Sequence, residues 1–144
     1  YVSQNSLLLN DTFLNNITFE YNSKNIDEKK FEFSIKKSKI KELINSLENG
    51  RDTIIGDRGA FISSGQSQRI NIARVLYSNR ELLIFDEATN ALDKNIEKEI
   101  FQNIKDLNIT TKNKKLIIIV SHKSENLKFC DDVLEVKDKK IVKF

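Results

Sequence analysis

Apolar residues recur at helical spacing through the first half of the chain. Between positions 40 and 47 they fall at i, i+3, i+4 and i+7, which predicts a helix with Gly50 as its C-cap. The same reasoning predicts a short helix over 11–17, capped by Asp or Thr, and a longer one from 62 to about 76. The intervening residues 20–30 are polar and read as a loop.

Short apolar runs with the character of strands replace this spacing in the second half. LLIFD (82–86) and KLIIIV (115–120) are typical of buried parallel strands. Between them, apolar residues at helical spacing predict a helix that Asp93 caps. VLEV (133–136) and KIVKF (140–144) predict a closing hairpin.

The change of spacing predicts an α/β fold in two parts. A mainly helical part covers about 5–80, and an α/β part covers about 81–144. Residues 1–3 read as the end of a strand, and the chain contains no Met. We therefore expect this sequence to be the C-terminal portion of a longer protein.

Composition excludes several classes of protein. The 144 residues suffice for one core, and 39% apolar and 31% charged residues suit a soluble globular chain. The net charge of +3 is too small and too scattered for a nucleic-acid platform. A single cysteine, Cys130, excludes an internal disulfide, and no apolar run reaches the roughly 18 residues of a membrane span.

Candidate chemistry begins where the LLIFD run ends. Asp86 stands at its C-terminal end, where α/β sheets bind ligands. A hydrophobic strand ending in Asp has the Walker B form, whose carboxylate holds Mg²⁺ on nucleotide phosphates. Glu87 follows at once and can polarise a water for attack on the terminal phosphate. Two adjacent acids after a strand also suit the start of a capped helix.

Two further polar residues follow predicted strands. His122, the single histidine, comes directly after the second apolar run, so it shares an edge with Asp86 if the two strands are adjacent. There an imidazole can hydrogen-bond a phosphate or a water, although a lone histidine also suits a structural role. Gln4 follows the first strand end, and its amide oxygen can ligate Mg²⁺ or a water.

Small residues open the helix that starts within ISSGQSQRINIARVL (62–76). Such a start can hold an anion on its backbone amides, aided by the helix dipole. An ordinary N-cap followed by a surface helix explains the same residues.

Taken in order, these segments resemble the ATPase domain of an ABC transporter. YVSQ (1–4) is similar to its Q-loop, and ISSGQSQRINIAR (62–74) to its signature motif. LLIFDEATNALD (82–93) is similar to Walker B with the catalytic glutamate and the D-loop, and IIIVSH (117–122) to the His switch. The resemblance implies a P-loop NTPase fold of ABC type, truncated to the helical subdomain and the C-terminal part of the parallel-sheet core.

The family's phosphate-binding loop, GxxxxGK[ST], does not occur in these 144 residues. The resemblance places that loop upstream, and it implies that this fragment alone does not hydrolyse ATP.

The resemblance also implies what individual residues do. In the family two ATPase domains pack head to tail, and the signature turn of one closes over ATP held by the other. Ser63 would then hydrogen-bond the γ-phosphate, and Gly65 would let the backbone approach it. The implied site consists of catalytic Glu87 and His122, magnesium ligands Asp86 and Gln4, nucleotide-binding Ser63, Ser64, Gly65 and Gln66, and D-loop residues Asn90, Ala91, Leu92 and Asp93.

One signature position departs from the family pattern. The usual Leu-Ser-Gly-Gly-Gln is Ile-Ser-Ser-Gly-Gln here, with Ser64 in place of the first glycine. A side chain there is harmless if its φ is negative and strained if its φ is positive. We expect the activity to be retained.

Two segments resemble parts of exporters. TIIGDRG (53–59) is similar to an exporter loop that senses the transmembrane domain, and LLLNDTFLNNITF (7–19) to the segment on which a coupling helix docks. Leu8, Leu9 and Phe13 are candidate contacts, unless they belong to the core. ARVLYSNRELLIFDEATNALD (73–93) resembles bacterial flippases for lipid-linked saccharides, and the alternatives are lipid A-type, peptide and multidrug exporters.

The implied function is to bind and hydrolyse ATP with Mg²⁺ and so to power export, in the flippase case of a lipid or lipid-linked saccharide. The implied partners are a second ABC ATPase domain, in a homo- or heterodimer, and a transmembrane domain that is fused or separate. They meet at the cytoplasmic face of a bacterial inner membrane and without nucleic acid. The alternatives are a non-transport ABC ATPase of translation or DNA repair and a catalytically silent interaction fragment. Residues 20–80 lack the coiled-coil heptads of the repair proteins, and the presence of Glu87 and His122 argues against a silent fragment.

Overall fold

Helices make up most of the fold up to residue 80. The structure, a computed structural model, describes residues 1–3, 7–56, 61–110 and 114–143. The elements of this first part are β1 Asp11–Thr12, α1 Phe13–Thr18, α2 Glu28–Lys37, α3 Lys41–Ser46, β2 Ile54–Ile55 and α4 Ser64–Ser78. The two short strands pair antiparallel, with Asp11 opposite Ile55.

Strands and one long helix form the second part. In order they are β3 Leu82–Asp86, α5 Lys94–Thr110, β4 Leu116–Val120, β5 Leu134–Lys137 and β6 Lys140–Lys143. β5 and β6 form the predicted hairpin. Its two-residue turn, Asp138 and Lys139, has φ angles of +49° and +60°, as a type I′ turn requires.

Three parallel segments lie side by side in the second part. β3 pairs with β4 in parallel, and Asp86 lies beside Val120 at the carboxyl end of the pair. On the other side of β3, Val2 makes a parallel bridge to Phe85, which confirms that a strand ends near the start of the sequence. The carboxyl ends of all three segments therefore lie at one edge of the sheet.

β4 is not the fully buried strand that its apolar sequence predicts. Leu116, Ile118 and Val120 are 64%, 42% and 46% exposed, whereas Ile117 and Ile119 pack against the core. Within the described residues, the core therefore covers one face of β4 and leaves the other face exposed. The prediction of full burial is wrong because an apolar run does not tell one covered face from two.

Capping side chains account for the helix starts, including one that the apolar pattern misses. Thr12 caps α1 as predicted, since its Oγ1 accepts a hydrogen bond from the N–H of Asn15 at 3.0 Å. α2 was not predicted, because its first turn lies in the polar stretch that reads as a loop. Asp27 caps it, and Phe31 and Ile35 are buried.

The helix predicted between 40 and 47 is shorter than expected. α3 ends at Ser46, and Gly50 begins a 3-10 helix, Gly50–Asp52. The prediction of Gly50 as the C-cap is wrong. Its φ of +49° shows that this glycine serves the turn after α3 rather than the end of the helix itself.

α4 lies between two hydrophobic cores. Ile70 and Ala73 belong to the core of the first part, while Ile72, Val75 and Leu76 belong to the core of the second. Because it is buried on both sides, α4 holds the two cores together. The division of the chain near residue 80 stays a prediction.

Candidate functional site

Glu87 and His122 meet at the carboxyl edge of the parallel strands. Nε2 of His122 lies 2.8 Å from Oε1 of Glu87. The His122 side chain is 88% exposed and that of Glu87 is 18% exposed, so the imidazole reaches into solvent while the carboxylate is largely covered. The two strand ends that the sequence placed at one edge therefore bring these side chains into contact.

The second carboxylate oxygen of Glu87 is held by the loop that follows it. Nδ2 of Asn90 donates to Oε2 at 2.9 Å. The backbone of Glu87 has a φ of +48°, a left-handed conformation that costs a non-glycine residue about 1–3 kcal/mol. Its N–H donates to the carbonyl of Val120 at 3.1 Å, so β4 anchors this turn. Both carboxylate oxygens thus have a partner.

Asp86 is the strand-end carboxylate next to Glu87. The Tyr1 hydroxyl donates to its Oδ2 at 2.7 Å, and this hydrogen bond raises the pKa of the Tyr1 hydroxyl. Within the described ranges, no group of three or more His, Cys, Asp or Glu side chains is placed to hold a metal ion. A single carboxylate still fits Mg²⁺, which proteins usually bind through one or two carboxylates together with water and substrate phosphates. Gln4, the second predicted ligand, lies outside the described residues.

Ser63 and Gln66 form a capping box at the start of α4. Oγ of Ser63 accepts a hydrogen bond from the N–H of Gln66 at 3.2 Å, and the N–H of Ser63 donates to Oε1 of Gln66 at 2.9 Å. Ser64 is the first residue of α4 and does not have a positive φ, so its side chain causes no backbone strain. Both serines are exposed, which leaves the capped helix start open to an anion.

The D-loop residues divide by what they contact. Leu92 is buried in the core, and Asp93 caps α5 by accepting backbone hydrogen bonds at 3.1 and 3.0 Å. Asn90 and Ala91 are exposed. Leu92 and Asp93 therefore anchor the loop, while Asn90 and Ala91 form its open part.

The signature turn packs directly against the D-loop of the same chain. A Cβ on Gly65 would lie 2.8 Å from the carbonyl oxygen of Ala91. Oε1 of Gln68 accepts a hydrogen bond from the N–H of Ala91 at 3.0 Å. The close approach of Ala91 therefore requires a residue without a Cβ at position 65. The sequence alone did not predict this contact within the chain.

The order of these motifs and their fold recur in known proteins. The family model described as ABC transporter matches residues 1–90. The chain belongs to the ABC transporter family. It is 38% identical to the ATP-dependent lipid A-core flippase of Vibrio parahaemolyticus and 37% identical to that of Pectobacterium atrosepticum. Each match extends over 141 residues, 98% of this chain and 23% of the relative.

A solved ABC exporter shares the fold. The structure of a bacterial Atm1-family ABC exporter with ATP bound matches with a TM-score of 0.81 and 30% identity. The match covers 96% of this chain and 24% of that exporter. The predicted fold class, an ABC-type ATPase domain, is confirmed. The chain spans about a quarter of the length of the relatives it matches.

A buried carboxylate in this ABC transporter chain was not predicted. Glu97 on α5 is 5% exposed and accepts hydrogen bonds from Oγ1 of Thr89 at 2.7 Å and Nδ2 of Asn126 at 3.2 Å. Nζ of Lys123 donates to both of its oxygens, at 3.0 and 2.9 Å. Burial acts to raise the pKa of Glu97, but these hydrogen bonds and the Lys123 charge outweigh it and hold the pKa below its usual value. The sequence did carry a signal for this burial, because Glu97 stands at helical spacing from Ile100 and Ile104 on the apolar face of α5.

Arg74 was also missed, and it ties the segment after the Q-loop to α4. Its Nε donates to the carbonyl of Asn16 at 2.7 Å, and its two terminal nitrogens donate to the carbonyl of Leu7 at 3.3 and 3.2 Å. The guanidinium lies 4.6 Å from the centre of the Phe19 ring. These contacts join residues far apart in sequence, so the local pattern of apolar and polar residues could not predict them.

The two segments that resemble exporter docking regions lie side by side. β1 and β2 pair them, and Leu9 and Ile54 are 39% and 53% exposed nearby. Phe13 is fully buried, so it belongs to the core and not to a docking surface. Residues 57–59 of the second segment lie outside the described residues. None of the helices in the described ranges is long and apolar enough to cross a bilayer.

Proposed function

We propose that this chain is the ATP-hydrolysing part of an ABC exporter that moves a lipid or lipid-linked saccharide across a membrane. The observation that carries the proposal is the contact between Glu87 and His122, one residue away from Asp86 at the carboxyl edge of the strands. The lipid part of the proposal rests on the relatives, which are named lipid A-core flippases.

The hydrolytic step requires a carboxylate that is held in one orientation. Glu87 takes a proton from the attacking water, while His122 and Asn90 hold its two oxygens. The exposed ring of His122 can contact a phosphate at the same time. Asp86, with Gln4, would hold Mg²⁺, which when bound neutralises charge on the phosphates of ATP.

The signature turn acts on ATP held by a second ATPase domain. In the described contacts, Oγ of Ser63 is only an acceptor, which leaves its proton for a γ-phosphate oxygen. Ser64, Gly65 and Gln66 add the backbone amides of the α4 start and its positive dipole end. The proposal therefore requires a head-to-tail pair of domains.

The membrane partner docks where residues 7–12 meet residues 53–56. A Cβ on Gly56 would lie 3.0 Å from the carbonyl oxygen of Leu9, which supports a single surface made from both segments. Leu7, Leu9 and Ile54 offer exposed apolar side chains there. We place this contact at the cytoplasmic face of a bacterial inner membrane, with a transmembrane domain and without nucleic acid.

Reconstitution of the intact transporter in lipid vesicles tests this function. ATP and Mg²⁺ should drive a fluorescent glycolipid from one leaflet to the other, and His122→Ala should stop both hydrolysis and movement. Glu125→Gln is the control, because Glu125 is exposed and paired only with Lys94 in the described contacts. ATP hydrolysis without glycolipid movement would instead favour a non-transport ABC ATPase.

A further inference from the structure

The backbone N–H and the carbonyl of Ala91 both face the signature helix α4. Gln68 is 5% exposed, and its Oε1 accepts the N–H of Ala91 at 3.0 Å. The carbonyl oxygen of Ala91 lies over Gly65, at 2.8 Å from where a Cβ would stand. Cδ2 of Leu92, the next residue, lies 3.5 Å from the same Cβ position on Gly65, and Leu92 is buried in the core. The exposed part of the D-loop is thus held against α4 at one residue, Ala91.

The residue before Ala91 is the one that holds the carboxylate of Glu87. Nδ2 of Asn90 donates to Oε2 of Glu87 at 2.9 Å, and its backbone N–H donates to the carbonyl of Glu87 at 3.3 Å. A short path therefore runs from Gln68 on α4 to Glu87: a hydrogen bond to Ala91, the peptide bond to Asn90, and a hydrogen bond to Glu87. Every residue on this path belongs to one chain.

We propose that Gln68 is a positioning residue for Glu87, acting through Ala91 and Asn90. This inference rests on the proposed function. The N-terminal turn of α4 faces ATP of the partner domain, whereas Glu87 serves ATP of its own domain. Loss of Gln68 should therefore act on hydrolysis at the site that Glu87 of the same chain serves.

We expect the loss of this path to misplace the carboxylate of Glu87 and not to destabilise the fold. Without Oε1 of Gln68 the N–H of Ala91 loses its acceptor, and the exposed loop shifts so that water can replace it. A methionine at position 68 fills the same volume without a comparable acceptor. A misplacement of about 1 Å at a catalytic group can cost as much as ~100-fold in rate, so the turnover number should change while ATP binding persists.

Mixed dimers separate this role from a general structural one. Two differently tagged protomers are co-expressed, and dimers carrying both tags are purified. In the reference dimer one protomer carries Glu87→Gln, so hydrolysis depends on Glu87 of the other. Gln68→Met is then placed either in the protomer that keeps Glu87, the cis arm, or in the protomer that carries Glu87→Gln, the trans arm. Gln102→Met in the cis arm is the control, since Gln102 is exposed on α5.

The inference requires kcat in the cis arm to fall about tenfold or more with little change in KM, and the trans arm to keep at least about half of the reference rate. Asn90→Ala in the cis arm should cost as much, and the double variant should cost no more than the larger single loss. Equal losses in both arms, a loss in the trans arm alone, or no loss would overturn it. A dimer with Glu87→Gln in both protomers that still hydrolyses ATP would overturn the proposed function and this inference with it.

Discussion

At the scale of single residues, Gly65 in the signature turn is constrained in two ways. The family resemblance assigns Gly65 to the γ-phosphate, and the structure adds a contact with Ala91 of the same chain. Ser64 is subject to neither constraint, because it is exposed and, as the first residue of α4, does not have a positive φ. The departure from the usual signature therefore falls at a position where a side chain is tolerated.

Gly65→Ala should impair catalysis because the new Cβ would displace the loop at Ala91. We expect the turnover number of the intact transporter to fall about tenfold or more and the domain to lose about 1–3 kcal/mol of stability. Steady-state ATP hydrolysis and thermal unfolding measure these effects, with Lys98→Ala on the exposed side of α5 as the control. Rates equal to wild type would show that the loop moves aside without cost.

At the scale of elements, Glu97 joins three parts of the chain. It connects α5 to Thr89 in the loop after β3, and to Lys123 and Asn126 in the segment after β4 that carries His122. A buried carboxylate with this many donors holds those segments in place relative to one another.

Glu97 should make stability depend on pH in a defined direction. Its pKa is lower in the folded chain than in the unfolded chain, so its stabilisation is present above about pH 4.5 and is lost as the pH falls further, toward the folded pKa. Glu97→Gln should lower stability at pH 7 by about 1–3 kcal/mol. The gap in melting temperature between wild type and variant should narrow from pH 7 to pH 4, and a constant gap would contradict this assignment.

The paired docking segments carry a second element-scale prediction. Leu9→Asp combined with Ile54→Asp places charge on the proposed docking surface. We expect glycolipid movement in vesicles to stop while ATP hydrolysis continues at about half the wild-type rate or more, because neither residue is among the described contacts of Glu87. Val136→Asp on the exposed hairpin is the matched control. Glycolipid movement at the wild-type rate in the double variant would contradict the assignment.

The elements differ in how far their sequence predicts them. The strands LLIFD and LIIIV, and α5 with its Asp93 cap, follow from local pattern because their apolar spacing and caps are strong. α2 and the one-sided burial of β4 do not, since the first depends on tertiary burial of a polar segment and the second on what covers a sheet face.

At the scale of the whole molecule, α4 links the two functional regions. Its first turn carries the signature residues, its sides enter both cores, and Gln68 reaches the loop that follows Glu87. The order of motifs predicted Asp86, Glu87 and His122, because each stands at or just after the carboxyl end of a strand. Gln68, Arg74 and Glu97 escaped prediction because their roles depend on contacts between distant segments.

The central claim is that Glu87 is the hydrolytic carboxylate of an ABC exporter ATPase. The most direct test measures Mg²⁺-dependent ATP hydrolysis by the intact transporter with Glu87→Gln, beside Glu125→Gln as the control. We expect the Glu87 variant to lose about 100-fold or more in rate, as removal of a general base does, and the control to stay within about twofold of wild type. A Glu87→Gln rate within about twofold of wild type would contradict the account.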